Sequence, residues 1–129
     1  MDASSIQAFL HAQVQAWNAG DKEGFLGAYR QAAPEGLLIE YVGRGPAGNG
    51  WPVLEGMWAQ QGAKIEIEEV LLVVNGLEAA CHNRNKLRDT TIAIETIELY
   101  DFRTPGRLAV RYFIKQGLAD GLSDAVAGP

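Results

Sequence analysis

The sequence predicts an α+β fold: three N-terminal helices packed on a strongly bent antiparallel sheet, a cone that encloses a pocket. Three observations carry this. Apolar residues recur at helical spacing in the N-terminal half, while long alternating runs separated by turn signals fill the rest. Helices first and strands afterwards place the helices on one face of one sheet. One alternating run also breaks at Glu68-Glu69, where a bulge would bend the sheet.

Ser4 or Ser5 can cap a first helix, and Ile6, Phe9, Leu10, Val14 and Trp17 make its apolar stripe. Gln13 falls on that stripe, and Gly20 suits a left-handed cap. Asp21 caps a second helix that turns Phe25, Leu26 and Tyr29 inward, and Ala33-Pro34-Glu35-Gly36 breaks it. Leu37 to Val42 reads as a short strand, followed by a loop from Gly43 to Gly50. Pro52 suits the first turn of a third helix with Val53, Met57 and Trp58 as its stripe.

Four strands follow: Ile65 to Val74, Leu77 to Leu87, Thr91 to Phe102, and Leu108 to Lys115. Asn75-Gly76 is a strong hairpin signal between the first two. With the bulge, Ile65, Ile67, Val70, Leu72 and Val74 share one face, together with Ala79, Cys81, Asn83, Asn85 and Leu87. The expected partners are Val74 with Leu77, Leu72 with Ala79 and Val70 with Cys81. His82, Arg84, Lys86 and Arg88 then share the solvated face. A turn at Pro105-Gly106 places Phe102 opposite Ala109, Tyr100 opposite Arg111 and Glu98 opposite Phe113. A three-residue loop there shifts this register by one. The last two strands are apolar on both faces, so a homodimer through the outer sheet face is expected.

A chain of 129 residues is one domain, read here as residues 1–116 with 117–129 as a loose C-terminal tail. A net charge of −5 argues against a nucleic-acid partner, and no apolar run reaches the length of a membrane span. The N-terminus lacks the basic and apolar regions of a secretory signal, and the single cysteine, Cys81, cannot form an internal disulfide. A cytoplasmic setting is therefore expected. The two histidines, His11 and His82, have no metal-ligand spacing, so neither metal nor organic cofactor is expected. Phosphate-loop, dinucleotide-binding and serine-elbow motifs are missing. Cys81 reads as a small core residue.

The run Ile39-Glu40-Tyr41-Val42-Gly43-Arg44-Gly45-Pro46 sets a carboxylate in an apolar stretch beside a glycine-rich loop. An apolar site raises a carboxylate's pKa, which makes Glu40 a candidate general base. Asn83 and Asn85 on an apolar face need partners in the core or in a pocket. Trp17, Tyr41, Met57, Trp58, Tyr100 and Phe113 could line a site for a flat apolar ligand, or simply pack.

The order of elements, with Trp17-Asn18-Ala19-Gly20-Asp21 and the Phe25–Tyr29 helix, resembles the nuclear transport factor 2-like superfamily over roughly residues 4 to 115. The resemblance is to its polyketide-cyclase-like and ketosteroid-isomerase-like branches, and it implies the cone fold. Glu40-Tyr41-Val42-Gly43-Arg44-Gly45-Pro46 is similar to the isomerase branch's catalytic strand and loop, with Glu for the usual Asp and Tyr41 for a proline. The resemblance implies Glu40 as base and Glu98 as the second acid, which that family keeps protonated to donate a hydrogen bond. Gln13 stands where the family has a tyrosine. An amide is a weaker partner for an enolate than a phenol, which argues against steroid isomerisation.

Two functional readings follow. The first is a cofactor-independent isomerase or cyclase acting by proton transfer on a small apolar or aromatic carbonyl compound. In it Glu40, Glu98 and Gln13 are catalytic, and Arg111 joins the pocket lining. An ion pair with Arg111 would instead hold Glu98 charged. The second is a noncatalytic ligand-binding or dimeric protein-interaction domain of the same fold, since one architecture hosts unrelated functions.

Overall fold

The computed structural model describes residues 1–116; the expected tail at 117–129 lies outside them. The chain runs α1 (Ala3–Asn18), α2 (Lys22–Ala32), β1 (Gly36–Tyr41), β2 (Gly48–Asn49), α3 (Gly50–Gln61), β3 (Ile65–Asn75), β4 (Glu78–Leu87), β5 (Ala93–Asp101) and β6 (Arg107–Ile114). The strands form one six-stranded sheet in the order β2-β1-β6-β5-β4-β3. This is the expected α+β architecture with three helices, but the sheet is not wholly antiparallel. β1 pairs in parallel with β6, because α3 and four strands intervene before the chain returns beside it. β2 is a strand formed inside the expected loop, through Leu38–Asn49 and Ile39–Gly48 pairing.

α1 begins two or three residues earlier than expected from a cap at Ser4 or Ser5. Asp2 is its cap and accepts from the Ser5 N–H, while the Ser5 side chain answers in a reciprocal capping box. Its stripe buries Ile6, Phe9, Leu10, Gln13, Val14 and Trp17. The end of α1 also covers part of the free edge of β3. Trp17 Nε1 donates to the Ile65 carbonyl at 2.9 Å, and Asn18 both donates to the Ile67 carbonyl and accepts from its N–H at 2.8 Å. Edge groups left bare would template pairing with another chain, so this clamp serves solubility as well as fold. α3 sits close on β1: a Cβ at Gly50 would fall 2.5 Å from Leu37, so only glycine permits this approach.

The β3–β4 ladder breaks between Glu69 and Leu71, with Val70 as the extra residue. The bulge thus lies slightly beyond Glu68-Glu69, and Glu69 rather than Val70 takes the inward position. There Glu69 Oε1 meets His11 Nδ1 of α1 at 2.8 Å, and Val70 is exposed. The hairpin turn is Gly76-Leu77, since Asn75 pairs with Glu78 and Val74 with Ala79. Gly76 carries a φ of 63° at the first loop position, as a type II′ turn requires. The register differs from the expected one by two residues, so every inward residue of β4 stays inward.

The β5–β6 hairpin differs by one residue. Asp101 pairs with Ala109, Tyr100 with Val110, Leu99 with Arg111 and Glu98 with Tyr112. Gly106 at φ 74° and the Arg107 N–H to Thr104 carbonyl bond set this longer turn. Because side chains alternate, one residue exchanges the faces of β6. Leu108, Val110 and Tyr112 point inward, while Arg111 and Phe113 are exposed on the outer face.

Candidate functional site

A cavity of about 60 Å³ lies between the helices and the concave face of the sheet. Gln13 and Trp17 reach it from α1, Phe25 and Tyr29 from α2, and Met57 and Gln61 from α3. Tyr41, Asn83, Asn85, Thr96, Glu98, Tyr100 and Tyr112 reach it from the strands, beside Ile65, Ile67 and Ile114. The volume admits a few waters or a small ligand, and it is well below the roughly 300 Å³ of a drug-sized site.

Glu98 is the only carboxylate among the described residues that line this cavity, and no lysine, arginine or histidine of those residues joins it. It is 6% exposed. Tyr100 donates its hydroxyl to Oε1 at 2.7 Å, while Thr96 Oγ1 at 2.9 Å and Asn83 Nδ2 at 3.3 Å donate to Oε2. Asn85 Nδ2 donates in turn to Thr96 Oγ1 and to the Ile94 carbonyl. Burial pushes the Glu98 carboxyl above its ordinary range, and the three donors offset this only in part. The phenols of Tyr29, Tyr100 and Tyr112 are raised by the same burial and by the neighbouring Glu98, so they stay neutral. The Cys81 thiol, opposite Glu98 on β4, is pushed up to about 12 by burial and does not supply a thiolate.

Tyr41 stacks on Tyr112 with ring centroids 5.4 Å apart. Its hydroxyl is the one buried side-chain oxygen or nitrogen without a hydrogen-bond partner among the described residues. Such a group costs about 1–3 kcal/mol when left unpaired. Trp58 does not line the cavity; it stands behind the wall, packed on Trp17 at 5.3 Å and Phe25 at 5.6 Å.

The expected site is therefore only partly assembled. Glu98, Gln13, Trp17, Tyr41, Met57, Asn83, Asn85 and Tyr100 converge on one cavity. Glu40, Arg111 and Phe113 do not. On β1, Leu37, Ile39 and Tyr41 turn inward, which sets Glu40 on the outer face opposite Arg111 of β6. Arg111 Nε donates to Glu40 Oε1 at 3.0 Å and its guanidinium lies over the Phe113 ring at 5.1 Å. The cation expected near Glu98 is thus spent on Glu40. His82 also lies on the outer face, where Nε2 meets Glu95 Oε1 at 2.7 Å.

The sequence reading left Phe25, Tyr29, Ile65, Ile67 and Ile114 out of the site as core residues, and it missed Thr96, Tyr112 and Gln61. Thr96 alternates with Ile94, Glu98 and Tyr100 and was recoverable from that parity. Tyr112 required the true β5–β6 register. Gln61 lies four residues after Met57 and seven after Leu54, a polar residue on an apolar stripe, the same signal that marked Gln13. Among the described residues no cluster of His, Cys, Asp and Glu is placed to hold a metal ion, and no helix is long and apolar enough to cross a membrane.

No family model matches the chain, and no curated protein matches its sequence. Solved structures do. An NTF-2 like protein of unknown function from Burkholderia xenovorans LB400 superposes with a TM-score of 0.70 at 15% identity, covering 90% of this chain and 87% of that one. The chain has the nuclear transport factor 2-like fold. The cone is shared with a steroid delta-isomerase from Pseudomonas aeruginosa, with a TM-score of 0.66 at 11% identity over 98% of this chain and 88% of that one. It is also shared with SalBIII, an epoxide hydrolase/cyclase-like enzyme in pyran ring formation in polyether salinomycin. That match has a TM-score of 0.65 at 15% identity over 85% and 90%. At these identities the likeness establishes the nuclear transport factor 2-like architecture and leaves the chemistry to the cavity residues.

Proposed function

We propose that the cone binds a small, uncharged carbonyl compound and moves a proton on it, as a cofactor-independent isomerase or cyclase does, with Glu98 rather than Glu40 as the acid–base group. The observation that carries this is a buried carboxyl that faces a cavity, holds three neutral donors and has no cation among the described residues that line it. A raised pKa makes the ionised form a stronger base. Glu98 as carboxylate takes a proton from the carbon next to the carbonyl and returns it to another atom of the same ligand. Tyr41, neutral and unpaired, donates to the oxygen that gains charge in between. The size of the cavity argues against a whole steroid skeleton.

The test is hydrogen–deuterium exchange at the carbon beside the carbonyl of small ketones in D2O. The protein should accelerate exchange, and Glu98→Gln should lower that acceleration by about 10²–10⁴-fold. Saturable ketone binding without accelerated exchange would favour the second reading, a noncatalytic binding domain. The position of Glu40 favours that reading, because it removes the second carboxylate from the cavity. In either case we propose that the outer sheet face pairs two copies of the chain. Leu71 at 61% exposure and Val73 at 52%, with Ile97 and Phe113, leave apolar surface there. Light scattering should report a dimer at micromolar concentration, and Ile97→Lys should shift it to monomer.

A further inference from the structure

The cavity holds polar groups that the proton transfer does not use. Gln13 is 5% exposed and Gln61 is 4% exposed, and both line the cavity from different helices. Each amide brings two donors and an acceptor to the cavity wall. Both stand on otherwise apolar stripes, α1 between Leu10 and Trp17, and α3 after Leu54. An apolar side chain there would satisfy packing alone. Buried amides facing a cavity call for water or for a ligand with matching oxygens. Nothing cationic among the described lining residues would neutralise an anionic ligand.

We infer that Gln13 and Gln61 form a second polar anchor, so that the ligand is a small neutral compound carrying a hydroxyl or second carbonyl besides the one addressed by Glu98 and Tyr41. This rests on the carbonyl reading of the Glu98 end. The two groups divide the work: Glu98 and Tyr41 address the reacting carbonyl, while the amides of α1 and α3 address the second oxygen. A ligand with one oxygen satisfies the Glu98 group alone and gives the amides nothing to bond. Sites that hydrogen-bond an oxygen discriminate strongly against analogues lacking it.

The test compares cyclopentanone, 2-hydroxycyclopentanone and cyclopentylamine as probes, titrated into the full-length protein by NMR and calorimetry. The hydroxyketone should bind about tenfold or more tightly than the ketone, the worth of one or two net hydrogen bonds. Gln61→Leu and Gln13→Leu, made separately, should erase that preference while leaving cyclopentanone binding in place. Each leucine variant should also melt no lower than the parent, because it exchanges a polar cavity wall for an apolar one; a merely structural glutamine would show the opposite. Equal binding of the two ketones, or a preference that survives both leucine variants, overturns the second anchor and leaves the Glu98 reading standing. Preferential binding of the amine overturns the neutral-ligand assignment. If no probe perturbs Glu98 or the amides, the carbonyl reading and the anchor fall together.

Discussion

Glu95 and Glu98 stand three residues apart on β5, on opposite faces of one sheet, and their carboxyls shift in opposite directions. Glu98 looks into the cone and is raised, because burial outweighs the hydrogen bonds from Tyr100, Thr96 and Asn83. Glu95 looks outward. Partial burial raises it too, but the Arg84 hydrogen bonds at 3.0 and 3.3 Å and the His82 contact at 2.7 Å prevail and lower it. The outer face is an ion-pair ladder in which Arg84 also reaches Glu68, and Lys86 reaches Glu66 and Glu68. Around Glu98 the inner face uses only neutral donors. A carboxylate supported by cations is a structural charge, whereas a buried one supported by neutral donors and facing a cavity is a candidate acid–base group.

Breaking the inner network gives the largest expected effect. Glu98→Ala leaves the Tyr100 and Thr96 hydroxyls and the Asn83 amide without their acceptor in a buried site. It should cost about 3 kcal/mol in urea unfolding. The pH dependence of stability comes next. Glu98 has a folded pKa above its unfolded one, so between the two the unfolded chain binds fewer protons. Stability should therefore fall as pH rises from the ordinary carboxylate pKa towards the raised one. Glu98→Gln should flatten that slope, read as Tm against pH. Glu95 has the opposite sign: its contribution is present above the unfolded pKa and is lost as pH falls through the lowered one. The smallest effect belongs to Glu40→Gln. The Glu40–Arg111 pair is half open to solvent, so its loss should change stability by about 0.5 kcal/mol or less and leave ligand binding untouched. A large loss of binding on Glu40→Gln would restore Glu40 to the site and erase the contrast between the two faces.

Two hairpins show how much of this was legible beforehand. In β3–β4 the turn lay two residues from its expected register, and Asn83, Asn85 and Cys81 still faced the cone. In β5–β6 the turn lay one residue away, and Arg111 and Phe113 changed sides while Tyr112 took the place beside Glu98. An even slip moves partners and keeps faces; an odd slip exchanges the faces. Helical spacing, which involves no such slip, explains Gln13 and Gln61. A polar residue on an apolar helix stripe is visible without coordinates, and both proved to be cavity residues.

The chain by itself determined the order of elements, the helix stripes, the presence of a bulge near Glu69, and Glu98 as an acid on a long strand. Those features follow from local periodicity and turn chemistry. The tertiary structure decided which carboxylate enters the cone. Glu40 lies in a run, Leu37-Leu38-Ile39-Glu40-Tyr41, that is apolar on both faces but for Glu40 itself, so alternation alone does not say which face is inner. The parallel docking of β1 on β6 and the close seat of α3 against Leu37 and Ile39 settle it. They turn Tyr41 inward and Glu40 outward to Arg111. A strand's inner face is a property of its neighbours, set by contacts between residues far apart in the sequence.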